Sequence, residues 1–319
     1  MIIPNDKGNK WRYQKLIEYI GNFPDEIGPL ATDFLKQRHA SRGDVVWWVL
    51  LYSACYCMGT ACVLYDLLDY KTLNPDDLED FWKKHKENLI FQSDRRYIKN
   101  MNQFCDIVQE FIRRSERKPW KYMERFIKEA PEETYLSMYK EVSSWRYYGR
   151  FGTILFMYNL NKILGVDLDY PEYDWKQGAT TTSAIFNARY KDDRANRFED
   201  DGKLSDNDVV NLNKYLSMIK SDLKKSHPDK AWTTMGVTSD LCSYRKLFKQ
   251  SRYLGYYVDR QQEELTWLEE RWPSMTSTWK RFWKLRKQHI PQEYLGEIQG
   301  WSGIQKERCK AWAERGEFR

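Results

Sequence analysis

Little in this chain would divide it into modules or arm it with a familiar catalyst. Its 319 residues hold only 16 Gly and 10 Pro, with no low-complexity stretch and no internal repeat, so no obvious linker separates one part from another. Six cysteines occur without a C-x-x-C, and the four histidines (His39, His85, His227 and His289) are far apart. That argues against a zinc or disulfide framework and for reduced, mostly buried thiols in a cytoplasmic protein. The sequence contains no G-x-S-x-G, H-E-x-x-H, deaminase or dinucleotide signature, which disfavours metal catalysis and hydride chemistry. No cofactor and no metal ligand set is called for. The opening MIIPNDKGNKWRYQK lacks the apolar core of a signal peptide.

Runs of alternating residues are scarce, whereas apolar residues at helical spacing recur throughout. The reading is an all-α, multi-helix globular fold. It is a single mainly helical domain over 1–319, with two lobes at about 1–165 and 166–319 as its finer division. Residues 45–65, VVWWVLLYSACYCMGTACVLY, carry no charge and raise the question of a membrane span. Three tyrosines, the flanking Asp44 and Asp66, and a mean hydropathy of −0.80 favour a buried central helix broken near Gly59. Caps are visible in SRGD at 41–44, in Asn74 and in Gly165. Further helices are expected over 95–114, 146–164 and 238–270, and a basic one over 279–289.

Four constellations could carry chemistry. At 178–183, GATTTS opens a helix, so free backbone N–H groups and the hydroxyls of Thr180, Thr181, Thr182 and Ser183 would suit an anion, with Lys176 nearby. An ordinary Thr/Ser N-cap has the same composition. At 145–152, WRYYGRFG sets Arg146 and Arg150 four residues apart for one phosphate or carboxylate. Close helix packing through Gly149 and Gly152, with solvated arginines, would use the same residues. Along 240–264, Arg245, Lys249, Arg252, Tyr256, Asp259 and Glu263 form a stripe of three cations running into two carboxylates. A salt-bridged helix exterior would look alike. At 279–287, WKRFWKLRK offers Lys280, Arg281, Lys284 and Lys287 to DNA phosphates, extended by Arg95 and Arg96, unless it is a plain solvated face. The C-terminal stretch 279–319 holds 10 Lys+Arg against 5 Asp+Glu, most of the formal +6.

The segments WWVLLYSACYCMGTA, YGRFGTILFMYNL, DWKQGATTTSAIFNA, DLCSYRKLFKQSRYLGYYVDR and GEIQGWSGIQK together resemble the phage amino acid:DNA transferases, also called alpha-glutamyl/putrescinyl thymine pyrophosphorylases. The resemblance covers most of the chain. It implies a fold distantly similar to helical DNA glycosylases, although their L-P-G-V-G hairpin is missing, so glycosidic cleavage does not carry over. It also implies thymine hypermodification, in which the (pyro)phosphate on an activated 5-hydroxymethyluracil in DNA is replaced by an amino acid or polyamine.

Such a displacement needs cations around the departing oxygens, a carboxylate for the incoming amine or hydroxyl, and a pocket for an extruded base. Arg146, Arg150, Arg245, Lys249 and Arg252 are assigned to the anion. Asp259 and Asp240 are assigned to the nucleophile, and Trp145, Tyr148 and Trp175 to stacking. The expected partners are double-stranded DNA bearing activated modified bases and a free amino acid, without a membrane. A non-catalytic DNA-binding accessory protein, or an enzyme modifying free nucleotides, remain the rival readings.

Overall fold

The computed structural model describes residues 7–22, 27–92, 102–173, 175, 206–248, 255–292 and 295. These residues form an all-α protein with thirteen α-helices and no strand among them. They fall into two compact units. One comprises Asp25–Pro171 and Val258–Leu295, and the other Met1–Pro24, Glu172–Tyr257 and Gly296–Arg319.

The first unit is built around α3 (Arg42–Cys55) and α4 (Met58–Leu67). Ser41 starts α3 with a reciprocal capping box, its Oγ accepting from the Asp44 amide at 3.3 Å while Asp44 Oδ2 accepts from the Ser41 amide at 2.8 Å. Every side chain from Val45 to Cys55 is buried. The uncharged run is not one helix. It breaks at Tyr56, whose backbone is left-handed (φ 52°, ψ 31°), and restarts at Met58. Gly59 is not the break. It lies in the first turn of α4, where a Cβ would stand 2.5 Å from Leu268 Cδ1, so the glycine serves close helix approach. Among the described residues no helix is long and apolar enough to cross a membrane.

Around this centre pack α2 (Gly28–Gln37), α5 (Pro75–His85), α6 (Asn102–Ser115), α7 (Pro119–Glu124), α8 (Pro131–Val142) and α9 (Arg150–Leu164). Asn74 caps α5 by accepting from the Asp77 amide at 2.8 Å, and Gly165 ends α9 at φ 69°. The helix expected from Arg146 begins instead at Arg150. Tyr147 is left-handed (φ 65°) and Gly149 is the extended N-cap, so Arg146 and Arg150 do not share a helical face. Trp145 and Tyr148 sit in an aromatic cluster with Phe111, Tyr122 and Phe156.

The second unit contains α1 (Lys7–Gly21), α10 (Asp206–Ser226) and α11 (Thr234–Phe248). Tyr13 donates to Asp222 at 2.8 Å, and Tyr19 meets Tyr244 edge-on at 5.2 Å. A Cβ on Gly21 would stand 2.1 Å from His227, and Lys230 donates to the Gly21 carbonyl at 2.7 Å. The single helix expected over 238–270 is two, α11 and α12 (Tyr256–Arg271). Gly255, at φ 89°, takes a conformation no right-handed helix contains. The last helix among the described residues is α13 (Thr276–His289), in the first unit, which buries Trp279 and Phe282.

Candidate functional site

Three consecutive polar residues near the head of α12 are buried: Asp259 is 1% exposed, Arg260 7% and Gln261 5%. A helix normally turns at least one of three successive positions toward water. Arg260 Nε donates to Glu264 Oε1 at 2.8 Å, one turn along, with both side chains nearly enclosed. Gln92 Nε2 donates to the same carboxylate oxygen. The backbone holds Gln92 there, because its amide donates to the Cys55 carbonyl at 3.0 Å, where α3 ends. Two residues earlier, the Ile90 amide donates to Thr60 Oγ1 at 3.0 Å.

Tyr56 lies over this pair. The Arg260 guanidinium is 5.5 Å from its ring centroid, a cation–π geometry. The ring also meets Phe151 edge-on at 6.0 Å, in the first turn of α9. The break in the central helix, the start of α9 and the head of α12 therefore converge. Three of the distinctive sequence segments supply them, through Tyr56, Phe151 and Arg260. Gly149 gives α9 no side-chain cap, and the space where its Cβ would be is open. Cys55 and Cys57 flank Tyr56. Burial, and then the Glu264 charge, push the Cys55 thiol up to about 12 and the Cys57 thiol well above its ordinary value.

Arg286 of α13 closes the tract from another side. It is 1% exposed, with Nη1 donating to Gln261 Oε1 and Nη2 to the Val258 carbonyl at 3.0 Å.

The residues expected from sequence are distributed as follows. Asp259 lies inside the tract. Arg150 is half-buried at the start of α9, three residues from Tyr147, whose hydroxyl donates to Asp106. Arg146 is exposed, paired with Asp106 at 3.4 Å and set over the Tyr147 ring. Trp145 and Tyr148 are 4% and 3% exposed. Enclosed on all sides, neither ring offers a face to a base, and packing is the role their surroundings give them. Burial also pushes the Tyr148 phenol far up. Trp175, in the other unit, is buried and donates to Asn213 at 2.6 Å. Asp240 and Arg245 lie on α11 in that unit, whereas Asp259 belongs to the first. The supposed stripe is therefore not one helical face. Lys176, Thr180, Thr181, Thr182, Ser183, Lys249, Arg252, Arg95 and Arg96 lie outside the described residues. On α13, Lys280, Lys284 and Lys287 are exposed, while Arg281 is tied to Asp33 by bonds of 2.5 and 2.6 Å. That contact holds the Asp33 carboxyl below its ordinary range.

Sequence reading missed Tyr56, Gln92, Arg260, Glu264 and Arg286. The DR pair at 259–260, with Glu264 four residues on, was the available signal. An i,i+4 pair of that kind usually marks a solvated face.

A helical protein with an arginine–carboxylate pair sealed beneath an aromatic ring has groups suited to an anion and to an amine in one place. The comparisons are more specific. Residues 25–253 match the amino acid:DNA transferase family, and the chain belongs to it. That span includes Tyr56, Gln92 and the start of α9, while Asp259, Arg260 and Glu264 lie beyond it. The chain is also similar to the Serinyltransferase of Salmonella phage ViI, 22% identical over 270 residues and covering 79% of this chain. It spans 65% of that relative's length. No solved structure matches.

Proposed function

We propose that the protein transfers an amino acid to DNA, displacing the (pyro)phosphate of an activated 5-hydroxymethyluracil base. Membership of the amino acid:DNA transferase family carries this reading, and the buried tract supports it chemically. In the displacement, the nitrogen or oxygen of the amino acid bonds to the exocyclic methylene of the base. The carbon–oxygen bond to the (pyro)phosphate breaks, and the nucleophile's proton passes to a carboxylate. Glu264, oriented by Arg260 and Gln92, is the carboxylate we assign to that proton, with Asp259 the second carboxylate of the tract. Arg150 and the start of α9 are the groups we assign to the anion, since the positive end of a helix favours negative charge. Arg245, Lys249, Arg252, Lys176 and Thr180–Ser183 are proposed for anion binding on residue type alone. Serine is the amino acid to try first, given the name of the phage relative.

The experiment is incubation with duplex DNA carrying phosphorylated 5-hydroxymethyluracil and a mixture of amino acids, followed by digestion to nucleosides and mass spectrometry. A new nucleoside with the mass of an amino-acid adduct is expected, and Glu264→Gln should lower its rate by about 10²–10⁴-fold. Absence of any adduct with the wild-type protein on verified activated DNA would overturn the reading. Full activity in Glu264→Gln would overturn only the residue assignment.

A further inference from the structure

A further cationic stretch of the first unit lies outside both the tract and α13. From 113 to 128 the sequence RRSERKPWKYMERFIK holds seven Lys+Arg and two Glu, an excess of +5 in sixteen residues. The structure sorts these cations into two groups. Arg114 is consumed internally, bonded to Glu110, Glu141 and Ser144. Arg117 donates to the Tyr70 and Leu73 carbonyls at 2.6 and 2.8 Å, which pins the loop before α5. Arg113, Lys118, Lys121, Arg125 and Lys128 are exposed. Among the described residues Arg113, Lys118, Lys121 and Lys128 have no ion-pair partner, and Arg125 rests on the Tyr122 ring at 5.2 Å with its charge intact.

Their spacing is ordered. Positions 118, 121, 125 and 128 step by three, four and three, the period of one helical face. The buried face of α7 is Pro119, Tyr122 and Met123. Turn-like bonds from Phe126 to Met123 and from Ile127 to Glu124 carry the winding past its end. Beside it, the Arg42 guanidinium lies 4.3 Å from the Trp120 ring. Glu116 and Arg117 are consecutive left-handed residues (φ 48° and 57°) that turn the chain from α6 into this ridge. Two such residues in succession are costly and persist only where the surroundings enforce them. Here Arg117's two carbonyl bonds do so. A cleft of about 420 Å³ opens at this turn, with Arg113 and Arg117 over Leu73, Pro75, Leu78 and Ile112.

We infer that this ridge, with Lys118, Lys121, Arg125 and Lys128 at its centre and Arg113 and Arg42 at its margins, seats the phosphate backbone of duplex DNA. The inference rests on the DNA-directed reading above and supplies its docking surface. The six residues of α7 at helical rise cover about 9 Å, in which one strand of B-DNA carries about three phosphates, and Lys118 and Lys128 extend the row beyond either end of the helix. The α13 face is poorer, because Arg281 is neutralised by Asp33 and Arg286 is buried, leaving three lysines.

The test uses the full chain and unmodified duplex DNA, with affinity measured by fluorescence anisotropy at several salt concentrations. Lys118→Gln/Lys121→Gln/Lys128→Gln is compared with Lys280→Gln/Lys284→Gln/Lys287→Gln. Losing three phosphate contacts should reduce the slope of log K against log salt by about 2.7, so that the wild-type advantage changes about 40-fold between 50 and 200 mM salt. Lys→Arg at the same three ridge positions should restore the slope, and all variants should melt with the wild type because these side chains are exposed. A wild-type slope in the ridge variant overturns the inference, whichever face the other variant implicates. A wild-type protein without salt-dependent binding overturns both the inference and the DNA-directed reading. A ridge that binds in a protein making no adduct on activated DNA upholds the surface and overturns the transfer.

Discussion

Arg260→Met offers the sharpest test of the buried tract. Methionine keeps the unbranched apolar stem but removes the cation that sits 2.8 Å from Glu264 and over the Tyr56 ring. The Arg260 and Glu264 side chains are 8% and 12% exposed, so water can replace little of what is lost. Breaking a buried pair by removing one member costs about 3–5 kcal/mol, because the other charge stays uncompensated. Gln92 still donates to Glu264 in the variant, which places the expected loss near the lower end, about 3 kcal/mol. Glu264→Leu alone should cost a similar amount by stranding Arg260. The double variant should cost about as much as either single variant rather than their sum, since an apolar pair leaves no uncompensated buried charge. Urea unfolding of the four proteins, followed by tryptophan fluorescence, measures this. The coupling energy should reach about 2–3 kcal/mol. Effects that add to within about 0.5 kcal/mol would refute the claim that the two side chains act as one buried unit.

Two further outcomes follow from local geometry. Gly59→Ala should destabilise by about 1–3 kcal/mol, because its Cβ would overlap Leu268 in a packed core, whereas Gly149→Ala, opening into empty space at φ −75°, should leave the urea midpoint unchanged. Burial alone would raise the Asp44 carboxyl, but hydrogen bonds from Ser41, the Lys71 charge and Tyr70 outweigh it and hold Asp44 below its ordinary range. A depressed folded value means stability that is present above about pH 4 and lost as pH falls through the folded value. Asp44→Asn should therefore flatten the acid limb of a stability–pH curve while lowering stability near neutrality.

The helix boundaries that sequence located are those set by local chemistry. Ser41–Asp44, Asn74 and Gly165 act on their own neighbouring backbone, so a few residues suffice to read them. Two of the boundaries it misplaced are set by non-glycine residues in left-handed conformations. Tyr56 and Tyr147 look like ordinary helix members, and apolar periodicity runs straight through both. Gly255 lay within an apparently continuous helical pattern and interrupts it.

The site was legible in type and not in membership. Asp259 was reached because a carboxylate near several cations attracts attention. Trp145 and Tyr148 carried the right residue types for stacking, yet their neighbours across helices enclose them. Arg286 lies in a basic run beside Lys284 and Lys287, and only the tertiary fold distinguishes the buried arginine from the exposed lysines. Glu264 was passed over because one i,i+4 pair on an exposed helix and one beneath an aromatic ring have the same spelling.

The two thiols flanking Tyr56 bear on a hazard that the proposed chemistry creates for its own enzyme. A base methylene bearing a good leaving group is an alkylating agent, and a thiolate would compete with the intended amine or hydroxyl. With its thiol pushed up to about 12, Cys55 is ionised to only about one part in 10⁵ at neutral pH. Cys57, raised for the same reasons and equally enclosed, is protected in the same way. The left-handed turn at Tyr56 projects a ring toward α9 and α12 while both adjacent sulfurs stay in the core. On the proposed chemistry, the thiols nearest the electrophile would therefore stay unreactive toward it.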